Sequence, residues 1–441
     1  MKNRLQKIES VNSVRNPNRN KDRKTVLGII IDTDFAVPPK TGVTYRLHFL
    51  SKKLAERGLE TKIFLCNRNI KTDADIANFP NTPGIEFHII PEEAFYTLPV
   101  MRDIIRSSGV TILQTEDAVS LLRYHPIAKE LALPMILEMH DVEATLKEGL
   151  GFEKEDIKMT EKISRLATKL SCVTICMTPT DREELINKIG AEKDKLRLIP
   201  NPIDLKEFKY SGPNEQAHTA IFVGNMFYWP NQNAANFIVD KLHQELKRRD
   251  ARVHLTLVGM VPDDIKNKCS GNTSVTVTGP TDNLNKILKT ATIALCPVKE
   301  GSGMKVKILN YCAAGLPIVT TTIGASGYEH VSSLVIEDDL NRYAEIIVDL
   351  LRDRDKLVDL GKKNRDFVER FYDIDKLSDF LIEIYSDTGR VKTPPSDRNL
   401  DGARIEIPLP LWLKEDRVRK ITNKKYYVIK NGLVTHSQTL P

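Results

Sequence analysis

No apolar run in this chain approaches the roughly 18 residues needed to span a bilayer, and its first residues are polar where a signal peptide is hydrophobic. A membrane-spanning or secreted protein is therefore not expected, and a cytoplasmic one is. The six cysteines form no CxxC pair and no Cys/His spacing of a metal site. Cys172 and Cys176 in CVTIC, Cys296 in ALCPV and Cys312 in NYCAAG sit among apolar neighbours, which predicts buried reduced thiols. Repeats at solenoid spacing are absent too.

Net positive charge is lacking outside one segment. The formal net charge is +6, and residues 1–24 hold eight lysines and arginines against two acids, so the remaining chain is formally neutral. No aromatic residue interleaves that basic arm, which argues against nucleic acid as a partner. Two readings stay open for it: a solvated disordered arm, or peripheral attachment to an anionic membrane surface.

At 441 residues and 41% hydrophobic content, the chain suggests two soluble domains of roughly 150 to 200 residues each. VLGIII, TKIFLCN, GIEFHII, TILQTE, PMILEMH, CVTICMT and LRLIPN read as short buried strands. Segments such as TYRLHFLSKKLAERG and EDIKMTEKISRLATKL between them have helical periodicity. The alternation then restarts with TAIFVGN, VHLTLVG, SVTVTG, ATIALCP and LPIVTTT. An α/β architecture of two doubly wound parallel domains follows, joined near Asn201-Pro202. The expected divisions are a basic arm (1–24), a first domain (25–203), a second domain (204–375), a helix packing back on the first domain (376–390), and a linker with a β-hairpin (391–441). In that last part ARIEIPLPLW alternates like a strand, and YYVIKNGLVTH carries the Asn-Gly signal of a hairpin.

The stretch EGSGMKVKILNYCAAG after the strand ATIALCP is a strand-to-helix turn. Such a turn directs free backbone N–H groups and the positive end of a helix dipole beyond the strand's C-terminal edge, where an anion such as phosphate fits. Lys305 and Lys307 strengthen that reading, because cations in the first turn of a helix oppose its dipole unless an anion compensates them. Lys307 and Asn310, three residues apart, share a helix face, whereas Lys305 points elsewhere.

These segments resemble GT-B glycosyltransferases of family 4, in its polysaccharide-biosynthesis branch. GSGMKVKILNYCAAGLPIVTTTIGASG is similar to GSGxKxKxLEAMAxGxPVVTTxxGxxG. LPMILEMHDVEA resembles LPvvxDxHNVEA, FVGNMFYWPNQNA resembles FVGSMxWxPNxDA, and TDREELINKIG with LRLIPNPIDLKEF resembles the passage leading into the second domain. The likeness covers roughly residues 26–388.

The resemblance implies a GT-B fold, two Rossmann-like domains facing across a cleft, and metal-independent, retaining transfer from a nucleotide sugar. It implies no cofactor and no metal, a UDP- or GDP-linked donor on the second domain, and an acceptor, unidentified, on the first. Donor binding falls to Gly301, Ser302, Gly303, Lys305, Lys307, Asn310, Gly224 and Asn225, and catalysis to His140 and Glu300. Gly42, Arg46, Asp141 and Glu143 fall on the acceptor side. Other roles stay open: His140 as an edge histidine packed on the next loop, Asp141 and Glu143 as helix caps, Gly42 as a turn residue, and Arg46 on a solvated helix face. As a neutral imidazole, His140 could hydrogen-bond the donor sugar or assist acceptor deprotonation.

One position departs from the family pattern. Asn310 stands where the family has a glutamate that accepts both ribose hydroxyls, and an amide offers one neutral acceptor instead of two charged ones. Glu300 or Glu329 could compensate. The expected function is glycosyl transfer in polysaccharide, glycolipid or natural-product assembly. The alternatives are a GT-B sugar-nucleotide epimerase and a degenerate transferase serving as a binding or scaffolding component.

Overall fold

The computed structural model describes residues 24–32, 42–67, 82–249, 251–281, 283–301, 303–391, 425–430 and 433–439. The basic arm up to residue 23, the loop at 33–41, Ser302 and the expected strand ARIEIPLPLW lie outside the described residues. Two compact units divide at Pro200, one comprising residues 1–200 and 377–441 and the other residues 201–376.

The first unit is built on a nine-stranded sheet. Its parallel strands are β1 (Val26–Ile31), β2 (Glu60–Asn67), β3 (Ile85–Pro91), β4 (Ile112–Thr115), β5 (Met135–Met139), β6 (Val173–Cys176) and β7 (Leu196–Leu198). All six residues of β1 are buried, which is why its sequence is a continuous apolar run and not an alternation. The spatial order β3-β2-β1-β4-β5-β6-β7 places a topological switch point between β1 and β4. In open α/β sheets ligands bind beyond the C-terminal strand ends at such a point.

The second unit repeats this plan in a six-stranded, all-parallel sheet. Its strands are β8 (Thr219–Val223), β9 (His254–Val258), β10 (Val275–Gly279), β11 (Ile293–Cys296), β12 (Ile318–Thr320) and β13 (Val335–Ile336). The order β10-β9-β8-β11-β12-β13 sets its switch point between β8 and β11. Each unit has its own core, with Ile221, Phe222, Leu257, Leu295 and Tyr311 at the centre of the second and Phe64, Leu113, Tyr124 and Leu137 at that of the first.

Two C-terminal elements complete the first sheet. β14 (Lys425–Lys430) runs antiparallel to β3 and forms a hairpin with β15 (Leu433–Thr439). Val428 and Ile429 of β14 are buried. Five helices bear on the sites below: α1 (Gly42–Glu56), α2 (Glu143–Gly149), α3 (Pro179–Glu184), α4 (Val306–Ala314) and α5 (Ile374–Thr388). The chain passes from the second unit to the first along α5, whose Leu377, Leu381 and Tyr385 are buried.

Candidate active site

At the C-terminal edge of the first sheet, polar side chains on β4 and β5 alternate into one buried cluster. Gln114 and Glu116 are two residues apart, as are Glu138 and His140, so each pair shares a sheet face. The strands run in register through Thr115 and Leu137, which puts Glu116 and Glu138 side by side one step further on. Gln114 Nε2 donates to Glu116 Oε1 at 3.0 Å and to Glu138 Oε2 at 2.8 Å. The other Glu116 oxygen meets His140 Nε2 at 2.9 Å. Arg46 of α1, with none of its surface exposed, donates from Nε to Glu138 Oε1 and from Nη1 to the Pro200 carbonyl at 2.6 Å, while its Nη2 has no partner among the described residues. Tyr385 of α5 donates its hydroxyl proton to Gln114 Oε1 at 2.7 Å.

Burial and the neighbouring Glu138 charge push the Glu116 carboxyl up, against the His140 and Gln114 hydrogen bonds. For His140, burial pulls the other way, but the hydrogen bond and charge of Glu116, with Glu138, outweigh it and raise the imidazole. Ligand-type atoms of Glu116, Glu138 and His140 lie within 4.8 Å of one another, a spacing that would also suit a cation. Arg46 already holds a Glu138 oxygen, however, so a guanidinium faces one carboxyl and His140, whose proton-bound form is favoured by Glu116, faces the other.

Further along the same edge, Thr178 and Asp181 close a capping box on α3. Burial pushes the Asp181 carboxyl up to about 7 despite its hydrogen bond from Thr178, with Asp141 and Glu184 adding to the rise.

At the switch point of the second sheet, the loop after β8 (Gly224, Asn225) lies against the loop after β9. Gly259 has φ +124°, and a Cβ there would stand 2.1 Å from the Gly224 carbonyl oxygen, so only glycine permits the approach. Beneath Gly224 lies the Lys307 ammonium, 3.1 Å from where a Gly224 Cβ would be. It sits 4.3 Å from the Phe222 ring centroid and donates to Asn231 Oδ1 at 2.6 Å. Asn231 in turn donates from Nδ2 to the Asn225 carbonyl at 3.0 Å. Burial lowers the Lys307 pKa to about 8. Among the described residues no carboxylate forms an ion pair with it. One helical turn on, the Asn310 Oδ1 is buried with no hydrogen-bond partner among the described residues.

The structure distributes the other expected residues as follows. Glu300 is exposed and accepts from Asn233 Nδ2 at 3.1 Å. Gly301 (φ +95°) and Gly303 (φ +68°) bend the loop before α4, and the Tyr228 hydroxyl stands 3.1 Å from where a Gly301 Cβ would be. Lys305 precedes α4 as its N-cap instead of lying in its first turn, and its Nζ donates back to the Gly303 carbonyl at 2.8 Å. Gly42 is exposed and opens α1. Arg46 is not on a solvated face: that turn of α1 packs over the sheet edge and buries it against Glu138. Nor does Asp141 cap α2, whose N-cap is Val142 without a side-chain bond. Glu143 lies in the first turn of α2 and pairs with Lys147 at 3.0 Å. His140 is held by a carboxylate that favours its protonated form, so it is a stronger base than a free neutral imidazole.

Gln114, Glu116, Glu138, Asn231 and Tyr385 went unnoticed in the sequence. For three of them a signal was present: carboxylates and an amide spaced by two within strands otherwise apolar, as in ILQTE and ILEMH, need buried partners. A concavity of about 780 Å³ lined by His243, Lys247, Arg252 and His254 lies at the opposite edge, before the N-terminal ends of β9 and β10, and contains none of the expected residues.

The sequence model described as Glycosyltransferase Family 4 matches residues 40–207, and that of glycosyl transferases group 1 matches residues 217–353. A 44.6 kDa protein in the cps region of Klebsiella pneumoniae is 25% identical over 209 residues, which is 45% of this chain and 54% of that relative. The chain thus spans about half the length of that relative. A phosphatidylinositol N-acetylglucosaminyltransferase component of Arabidopsis thaliana is 21% identical over 351 residues, 74% of this chain and 75% of its own. HepE of Anabaena, solved in complex with UDP and also with UDP-glucose, is similar in fold with a TM-score of 0.64 to the UDP complex. That match has 12% identity and covers 82% of this chain and 100% of HepE.

Proposed function

Because the chain belongs to glycosyltransferase family 4 and has the GT-B fold, we propose that it moves a sugar from a nucleotide-sugar donor to a glycolipid or polysaccharide acceptor, with retention and without a metal ion. One observation carries this reading: Lys307 presents a partly buried ammonium at a sheet switch point, with an amide oxygen and an aromatic face for neighbours and no ion-pair partner among the described residues. A diphosphate supplies the missing counter-charge, and the N-terminus of α4 with the amides of Gly301 and Gly303 adds donors to it. The same groups stabilise the negative charge that grows on the nucleotide as the glycosidic bond breaks. Ribose hydroxyls are donors of the kind the orphaned Asn310 Oδ1 needs.

In the first unit, His140 acts on the donor sugar or the acceptor hydroxyl with Glu116 as its counter-ion, while Arg46 holds Glu138 and Gln114 bridges the two carboxylates. Glu300 is the second catalytic candidate. UDP is the nucleotide to try first, since HepE was solved with it, and a lipid-borne acceptor is favoured by the relative named for phosphatidylinositol. No described helix is long and apolar enough to cross a membrane, so the reading gives contact with an anionic cytoplasmic surface to residues 1–24. Calorimetric titration with UDP and GDP, followed by hydrolysis assays on a panel of nucleotide sugars, tests it. Binding of one diphosphate well above its nucleoside supports the reading, and undetectable binding of both sinks it.

A further inference from the structure

We propose that Tyr385, in the C-terminal helix α5, is a positioning residue for His140, acting through Gln114 and Glu116. The inference rests on the reading of His140 as part of the reacting edge and adds to that edge a side chain 271 residues away from Gln114 in sequence.

The two ends of the Gln114 amide have the same shape and opposite hydrogen-bonding character. One end faces the Glu116 and Glu138 carboxylates at 3.0 and 2.8 Å, so it must be the NH₂ group, because an oxygen there would meet two acceptors. The carbonyl end is thereby turned toward α5, where it is buried and requires a donor. The Tyr385 hydroxyl at 2.7 Å is that donor, and burial raises its pKa well above the ordinary tyrosine value, so its proton stays in place. The carboxylates choose which end of Gln114 faces them, and Tyr385 anchors the other end, fixing where the amide sits.

Gln114 then decides how Glu116 is turned. One Glu116 oxygen takes the amide proton, which leaves the other for His140 Nε2 at 2.9 Å. A ring whose Nε2–H is held in this way directs Nδ1 away from the cluster, and His140 is the member of the network with solvent access, at 17% side-chain exposure. Glu138 cannot stand in for Glu116, since Arg46, itself anchored to the Pro200 carbonyl, claims one of its oxygens and Gln114 the other. The charged groups acting on His140 are thus Glu116 after β4, Glu138 on β5 and Arg46 on α1. The Asp141 carboxyl is its chain neighbour and bears on Asp181 of α3.

The test reads the His140 ring directly, in the full-length chain carrying ¹³C,¹⁵N-labelled histidine, with the resonance assigned by its loss in His140→Gln. It does not depend on turnover of any sugar nucleotide, so its outcome is separable from the fate of the transferase reading. The parent is expected to show a ring protonated at Nε2 that titrates above ordinary histidine. In Tyr385→Phe the midpoint falls by roughly one pH unit and the Nδ1-protonated tautomer appears, as Glu116 loses its fixed orientation. That variant also leaves the Gln114 oxygen buried and unpaired, which lowers stability. The double variant Tyr385→Phe with Gln114→Met removes the unpaired amide oxygen but also the amide protons held by Glu116 and Glu138, so no recovery of melting temperature is expected of it, and it keeps the altered His140 signature. If Tyr385→Phe does not fold, the double variant carries the comparison alone. A parent ring protonated at Nδ1, or a double variant whose His140 is indistinguishable from the parent's, overturns the proposal and leaves Tyr385 a core tyrosine.

Discussion

An ammonium removed from water needs either a counter-charge or a weaker hold on its proton. Lys307 has the second, with its pKa brought down to about 8 by burial. Since this folded value lies below that of an ordinary lysine, the buried charge costs stability at neutral pH, and the cost fades as pH rises through 8. A bound diphosphate reverses the shift, so UDP binding takes up a proton above pH 8. Calorimetry at pH 8.5 in buffers of different ionisation heat should therefore give different apparent enthalpies, and affinity should fall by up to about tenfold per pH unit above 8. Lys307→Ala should abolish that dependence and weaken UDP by roughly ten- to a hundredfold, the size of one charge-assisted hydrogen bond, while uridine binding barely changes. An affinity for UDP that ignores both pH and this substitution would remove Lys307 from the site. At Asn310 the orphaned Oδ1 predicts the opposite direction. Asn310→Glu offers two charged acceptors on the helix face it shares with Lys307, and UDP should bind about 1 to 3 kcal/mol more tightly.

Among the elements, α3 carries an uncommon combination. Its capping box needs the Asp181 carboxylate to accept the Thr178 amide, yet burial, with Asp141 and Glu184, raises that carboxyl to about 7. The folded value stands above the ordinary 3.8, so the folded chain binds this proton more tightly than the unfolded one. The contribution to stability is present below pH 3.8 and is lost as pH rises toward 7. Asp181→Asn keeps an acceptor for the cap and removes the titration. At pH 8 it should melt higher than the parent, by about 1 to 2 kcal/mol of stability given partial solvent screening, with the advantage gone near pH 4. Equal melting curves at both pH values would mean that Asp181 ionises as freely in the folded chain as in the unfolded one.

At the scale of the whole molecule, the chain returns to its first unit through α5 and then adds β14 and β15 to the outer edge at β3. An uncovered edge strand presents unpaired backbone groups and invites association. Val428 and Ile429 are buried where β14 covers β3, worth roughly 1.5 to 3 kcal/mol each when fully removed from water. A chain ending at Val391 should accordingly melt several degrees lower and show concentration-dependent aggregation. Its affinity for UDP should stay within about twofold, since Lys307, Asn231 and Asn310 belong to the other unit. Light scattering and calorimetry on the truncated chain check both halves, and a parent-like melt would show that the hairpin adds nothing to the sheet.

The local period of the sequence determined the two parallel sheets, because a strand buried on both faces must be a short apolar run and a helix between strands must repeat near 3.6. VLGIII and TAIFVGN are legible for that reason, as is the glycine-bracketed turn before α4, whose backbone needs positive φ at Gly301 and Gly303. Family motifs carried His140 and Lys307 to their strand and helix ends. Which side chains meet was settled by sheet order and by how the helices pack on the sheets. Arg46 finds Glu138 across 92 residues and Lys307 finds Asn231 across 76, while Tyr385 closes on Gln114 across 271. No local spacing encodes such pairs. An arginine in YRLHFLSKK looks solvated until α1 is laid across the edge of β5, and a buried charge then takes whichever partner the packing brings within reach.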